Sequence, residues 1–83
     1  MKLNPRNFGL VGGVMWGVSI LLMTLVSMGT GYGTDFLTLM GSIYPGYSVG
    51  FFGAGVGLVY GFLDAFIGFY IFAWLYNWME GKT

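Results

Sequence analysis

The stretch Gly50 to Trp78, GFFGAGVGLVYGFLDAFIGFYIFAWLYNW, is apolar over almost its whole length and carries one charge, Asp64, near its middle. A bilayer crossing needs only about 20 such residues. A carboxylate at that depth is expensive, so it has to be protonated, partnered or used. No soluble fold accommodates this run easily, because a chain of 83 residues has too much exterior to hide it. Hydrophobic residues make up 57% of the chain and charged residues 7%, far below the roughly 25% of soluble domains. The bilayer is therefore the expected solvent, and the chain one integral membrane domain.

A second apolar run precedes it, from about Phe8 to Met28. Lys2 and Arg6 stand before it, and Asn4-Pro5 is a suitable helix start. A cleaved signal peptide is the competing reading, with Ser27-Met28-Gly29 as a weak processing site. The run exceeds the usual 7–15 apolar residues of such a peptide, which favours a retained span. Residues 29–48 connect the two runs. GTGYGT opens the connection as a turn. Thr34 or Asp35 can cap a short helix over about 35–43, which Pro45-Gly46 would stop. That helix is too short to span, so it lies at the interface or folds back against the bundle. The expected fold is all-α: a hairpin of two transmembrane helices, about 8–28 and 50–78, with a short helix in the connection. The second span is either one helix or is broken at GAGVG.

Tyr44 and Tyr47 in the connection suit the headgroup zone, as do Trp74 and Trp78 near the far end of the second span. Asn77, Glu80 and Lys82 mark the return to water. All three basic residues lie at the termini, which predicts both ends in the cytoplasm.

Glycine recurs every fourth residue in both runs: Gly9, Gly13 and Gly17 in the first, Gly53, Gly57 and Gly61 in the second, with Gly68 beyond. Such rows let helix backbones approach closely. Two rows in so small a protein suggest self-association as a homo-oligomer, or docking onto a larger membrane complex. Asp64 falls on the small-residue side, and Phe52, Val59 and Phe66 are expected to face lipid. Its expected partners are Tyr60, one turn earlier, and Trp16 or Ser19 of the first span. Ser19 and Thr24 are expected to bond carbonyls of their own helix. Asp64 has three readings: a structural carboxyl, an ion or proton site, or part of a pore lining.

There is no Cys and no His, which removes thiol nucleophiles, disulfides, zinc sites and imidazole acid–base chemistry. GAGVG lacks any phosphate-binding context. No basic patch exists for nucleic acid. The expectation is a non-enzyme without cofactor or metal.

LMGSIYPGYSVG followed by GLVYGFLDAFIGFYIFAWLYN, from Leu39 to Asn77, resembles a family of small two-span prokaryotic membrane proteins, some of which carry the label bacteriophage holin. Tyr44-Pro45-Gly46-Tyr47 and Tyr60-Gly61-Phe62 with Asp64 are the most specific parts. The resemblance implies a holin-like protein that oligomerises in the prokaryotic inner membrane. Asp64 in a second helix also resembles the rotor-ring subunit of membrane ATP synthases, although the glycine string there sits in the first helix. Three functions follow: a self-assembling structural protein, an accessory subunit of a larger integral complex, or an ion or proton carrier using Asp64.

Overall fold

The computed structural model describes residues 2–81 and is all-helical over them. Lys82, expected at the return to water, lies outside the described residues. Three helices follow in order: α1, Pro5–Thr30; α2, Thr34–Ile43; and α3, Phe51–Glu80. The first and third are long and apolar enough to cross a membrane. At 1.5 Å per residue they measure about 39 and 45 Å. The backbone forms a rod of 49 × 19 × 18 Å.

Local chemistry sets the ends. Asn4 caps α1, its side chain accepting from the Asn7 N–H at 3.2 Å, and Pro5 takes the first helical position. Gly31, at φ 76°, closes α1 by donating its N–H to Ser27 O at 2.7 Å, in a left-handed conformation costly to any residue with a Cβ. The cap of α2 departs from expectation. It is Gly33, with no side-chain cap bond, and Thr34 and Asp35 are already helical. The Thr34 hydroxyl is engaged elsewhere, donating to Gly31 O at 2.8 Å and accepting from Ser27 at 2.6 Å. α3 is continuous through GAGVG.

The two long helices run side by side in opposite directions. Their ends are tied where Leu3 donates its N–H to Asn77 Oδ1 at 2.7 Å and Asn77 Nδ2 donates back to Leu3 O at 2.6 Å. Phe8 stacks on Phe72 at 5.6 Å and meets Phe69 edge-on at 5.5 Å near the same end.

Glycine decides how close they come. A Cβ on Gly9, Gly13 or Gly17 would stand 2.9, 2.8 and 2.8 Å from the backbone oxygens of Phe66, Phe62 and Leu58. A glycine on every fourth residue of α1 thus meets a carbonyl on every fourth residue of α3. This is the spacing at which Cα–H groups can reach carbonyl oxygens between helices. The rows touch each other directly where a Cβ on Gly61 would lie 3.0 Å from Gly17 Cα. Phe66 is therefore not on an outer face, as its place in the sequence suggested. Its ring and carbonyl cover Gly9, because a glycine row leaves a groove that a bulky neighbour fills.

The other glycines divide by role. Gly57 faces Ile20 and the Tyr47 ring, Gly53 packs on Ser48 of the turn before its own helix, and Gly68 has nothing within 4 Å.

Helix α2 folds back over the pair rather than leading away. Thr34 bonds Ser27, whereas Tyr44, just past the end of α2, reaches Trp16. Those partners are eleven positions apart on α1, or about 16 Å. The chain then returns: Tyr47 meets Thr24 and Gly57, and Ser48 lies against Gly53. Leu37, Met40, Tyr44, Tyr47 and Ile20 form the buried cluster under this fold-back. Tyr44 and Tyr47 are only 4% and 6% exposed, although their position in a polar-looking connection had suggested half-wet rings at a headgroup surface. They are covered because α2 turns inward and carries them into the groove between the long helices. Trp74 and Trp78, expected at the far interface, are exposed.

Candidate functional site

Three elements converge on one hydroxyl. The Trp16 indole N–H of α1 donates to the Tyr44 oxygen at 3.0 Å. The Tyr44 O–H donates to Asp64 Oδ2 of α3 at 2.8 Å. Tyr60 lies one turn before Asp64 and stacks on Tyr44, with ring centres 5.4 Å apart and planes within 8°. Phe36 of α2 closes the other side, edge-on to Trp16 at 6.3 Å.

Hydrogen-bonding capacity fixes the order of this chain. An indole N–H only donates. By occupying the Tyr44 oxygen it leaves the phenolic proton to be given to Asp64. Tyr44 is therefore the donor to Asp64.

A neighbouring pair works similarly. The Thr24 hydroxyl donates to Ile20 O at 2.7 Å, which spends its only proton. Tyr47 must therefore be the donor in the 2.5 Å bond between the two hydroxyls. Every buried side-chain polar atom among the described residues has a partner.

The expected partners of Asp64 are rearranged. Trp16 is joined to it at one remove, through Tyr44. Tyr60 supports the clasp by stacking and not by a bond to the carboxylate. Ser19 is outside the clasp, exposed and bonded to Met15 O at 2.6 Å. Tyr44 supplies the direct bond. Its presence in YPGY, just before the second apolar run, was visible, but nothing local to it points at Asp64.

Asp64 is itself exposed on the bundle surface. It lies about 20 Å along α3 from Phe51 and about 24 Å from Glu80, hence close to mid-height. Pro45 and Gly46, which turn the chain after α2, are exposed too. Gly46 sits at φ 86°, in the left-handed region that this turn requires. The described residues hold no group of three or more His, Cys, Asp or Glu that could hold a metal ion.

No protein-family model matches the chain, and neither a curated protein nor a solved structure matches it.

Proposed function

We propose that this chain is a small integral membrane protein with a structural role, exerted through assembly with further copies of itself. α1 and α3 are its two spans, and α2 is a re-entrant helix that enters from the connection side and turns back inside the membrane. The exposed apolar surface supports membrane insertion. Only 17% of the most apolar window of α3 is buried, whereas the core helix of a soluble protein would be mostly covered. Phe51 and Phe52 at its start are 80% and 81% exposed. The Leu3–Asn77 tie supports both termini on one side, and the terminal Lys2 and Arg6 favour the cytoplasm for that side.

One observation carries the assembly reading. An exposed carboxyl and an exposed non-helical turn, Asp64 and Pro45-Gly46, both lie well inside the ends of the long helices. Backbone that is not helical is tolerated at membrane depth only where protein or a water-filled cavity covers it. A single copy leaves this face open, so further protein has to close it.

The mass of the particle extracted in mild detergent tests this. The expected result is a multiple of 9.1 kDa from this chain alone. A monomer would overturn the assembly reading. Co-migration with larger subunits at fixed stoichiometry would replace it with the accessory-subunit reading.

A further inference from the structure

We infer that a second copy covers the outer face of α3, the two α3 helices lying parallel about a two-fold axis, with the Tyr60 hydroxyl of each copy donating to Asp64 Oδ1 of the other. The inference rests on the assembly reading above and names the surface and the polar pair through which the copies meet.

The glycine rows do not supply this contact. Gly9, Gly13 and Gly17 are spent on the backbone of α3, and Gly53, Gly57 and Gly61 on Ser48, on Ile20 with Tyr47, and on Gly17. Both rows are closed within one chain. What stays open is a stripe of α3 on which Tyr60, Asp64, Ile67, Ile71 and Trp74 follow one another at spacings of four and three. These are successive a and d positions of a heptad seam, the spacing at which two parallel helices interlock their side chains. Tyr60 is half-buried and the other four are exposed. Tyr44, at the tip of α2, touches the stripe at its upper end, on Tyr60 and Asp64.

Two polar atoms on this stripe have no use within the chain. Asp64 accepts from Tyr44 through Oδ2, and Oδ1 has no partner among the described residues. The Tyr60 hydroxyl enters no hydrogen bond there either, because its ring is stacked flat on Tyr44. One is an acceptor and the other carries a donor, one helical turn or about 6 Å apart along the axis. A two-fold axis between parallel helices brings each to the other and makes the bond twice.

Height selects α3 over α1 as the covering helix. Copies inserted the same way bring residues of equal depth together. Gly13 lies against Phe62 and Gly9 against Phe66, so α1 is level with Asp64 near residue 11. Its exposed side chains there are Leu10, Val11, Val14 and Met15, none of which can donate. Ser19 and Ser42 have given their protons to Met15 O and Leu39 O. Among the described residues, Tyr60 is the side-chain donor within a turn of Asp64 on α3 whose proton is unspent, and at this depth water does not replace it.

The chain has no cysteine, so single cysteines report the contact. The full chain carrying Ile71→Cys is oxidised with copper phenanthroline in phosphatidylcholine vesicles, with Val14→Cys on the exposed side of α1 as control. Ile71→Cys is expected to give a covalent dimer and Val14→Cys to stay monomeric. Tyr60→Phe keeps the ring and removes no hydrogen bond within the chain, so it should fold like the parent. It should self-associate about tenfold more weakly, since two bonds of the modest strength such bonds have in membranes are lost. Energy transfer between labelled copies, read against the protein-to-lipid ratio, measures this. Unchanged association of Tyr60→Phe would overturn the polar pair. Cross-linking of Val14→Cys as complete as that of Ile71→Cys, or none from Ile71→Cys in an assembled particle, would overturn the surface and leave the assembly reading standing. A monomeric particle would sink both.

Discussion

Gly17→Leu should separate the two long helices. At Gly17 backbone meets backbone: a Cβ there would stand 2.8 Å from Leu58 O and 3.1 Å from Phe62 N, and Gly61 faces it from α3. These are backbone atoms of a continuous helix, which cannot swing aside as a side-chain tip would. A leucine would force α1 away from α3 over several turns and uncover the carbonyl row at Leu58, Phe62 and Phe66. Overpacking of a tight contact costs about 1–3 kcal/mol, and a helix displacement places this change at about 3 kcal/mol or more. Gly68→Leu is the control. Gly68 has open space around it and should change stability by no more than about 0.5 kcal/mol. Unfolding by SDS in mixed micelles, followed by tryptophan fluorescence, measures both. Equal stability of the two variants would mean that the glycine row of α1 does not set the contact.

The second large effect is expected at Tyr44. Tyr44→Phe keeps the ring, and with it the stacking on Tyr60, but deletes one oxygen that serves two partners. The Trp16 N–H loses its acceptor and Asp64 Oδ2 its donor. Trp16 is half-buried and Asp64 exposed; stranding one polar group costs about 1–3 kcal/mol, so a loss of about 1–3 kcal/mol is expected. Tyr47→Phe should cost less. There the partner hydroxyl of Thr24 still donates to Ile20 O, so no proton is stranded. A double-mutant cycle between Tyr44→Phe and Asp64→Ala should be non-additive by about 1 kcal/mol or more, since both remove the same bond. Additive losses, or a Tyr44→Phe variant as stable as the parent, would show that the clasp does not hold α2 in place.

Much of this architecture is legible from the chain alone, and the reasons are local. Two long apolar runs separated by GTGYGT and YPG can hardly be anything but helices with a short helix between them. Asn4-Pro5 marks a helix start because its chemistry acts within three residues. Glycine at every fourth position marks a close approach, although not what is approached. The helices set the glycines of α1 on the carbonyls and rings of α3, which draws Phe66 inward.

The candidate site was half legible. Asp64 stands out because a charge in an apolar run needs a reason. Tyr44 does not stand out, because its contact depends on the direction α2 takes. An inward fold-back and an interfacial helix have the same composition, and tyrosine suits both. The direction is set by several contacts at once: Ser27 with Thr34, Leu37 and Met40 against Ile20, and Tyr47 with Thr24. None of these is visible within a local window. The same applies to Gly33 as the cap of α2, since Thr34, the obvious capping residue, is bonded to Ser27 and Gly31.

If α2 is re-entrant, the turn at Pro45-Gly46 lies deep in the membrane, and its depth can be measured. The chain has no native cysteine, so single spin labels are clean. Labels would be placed through Pro45→Cys at the turn, Tyr32→Cys in the connection and Met79→Cys near the end of α3, all exposed positions. In vesicles, collisions with a membrane-impermeant nickel complex report contact with bulk water. The labels at positions 32 and 79 should meet the complex freely, while the label at 45 should be strongly shielded. A label at 45 as accessible as the one at 32 would place α2 on the membrane surface and contradict the re-entrant fold.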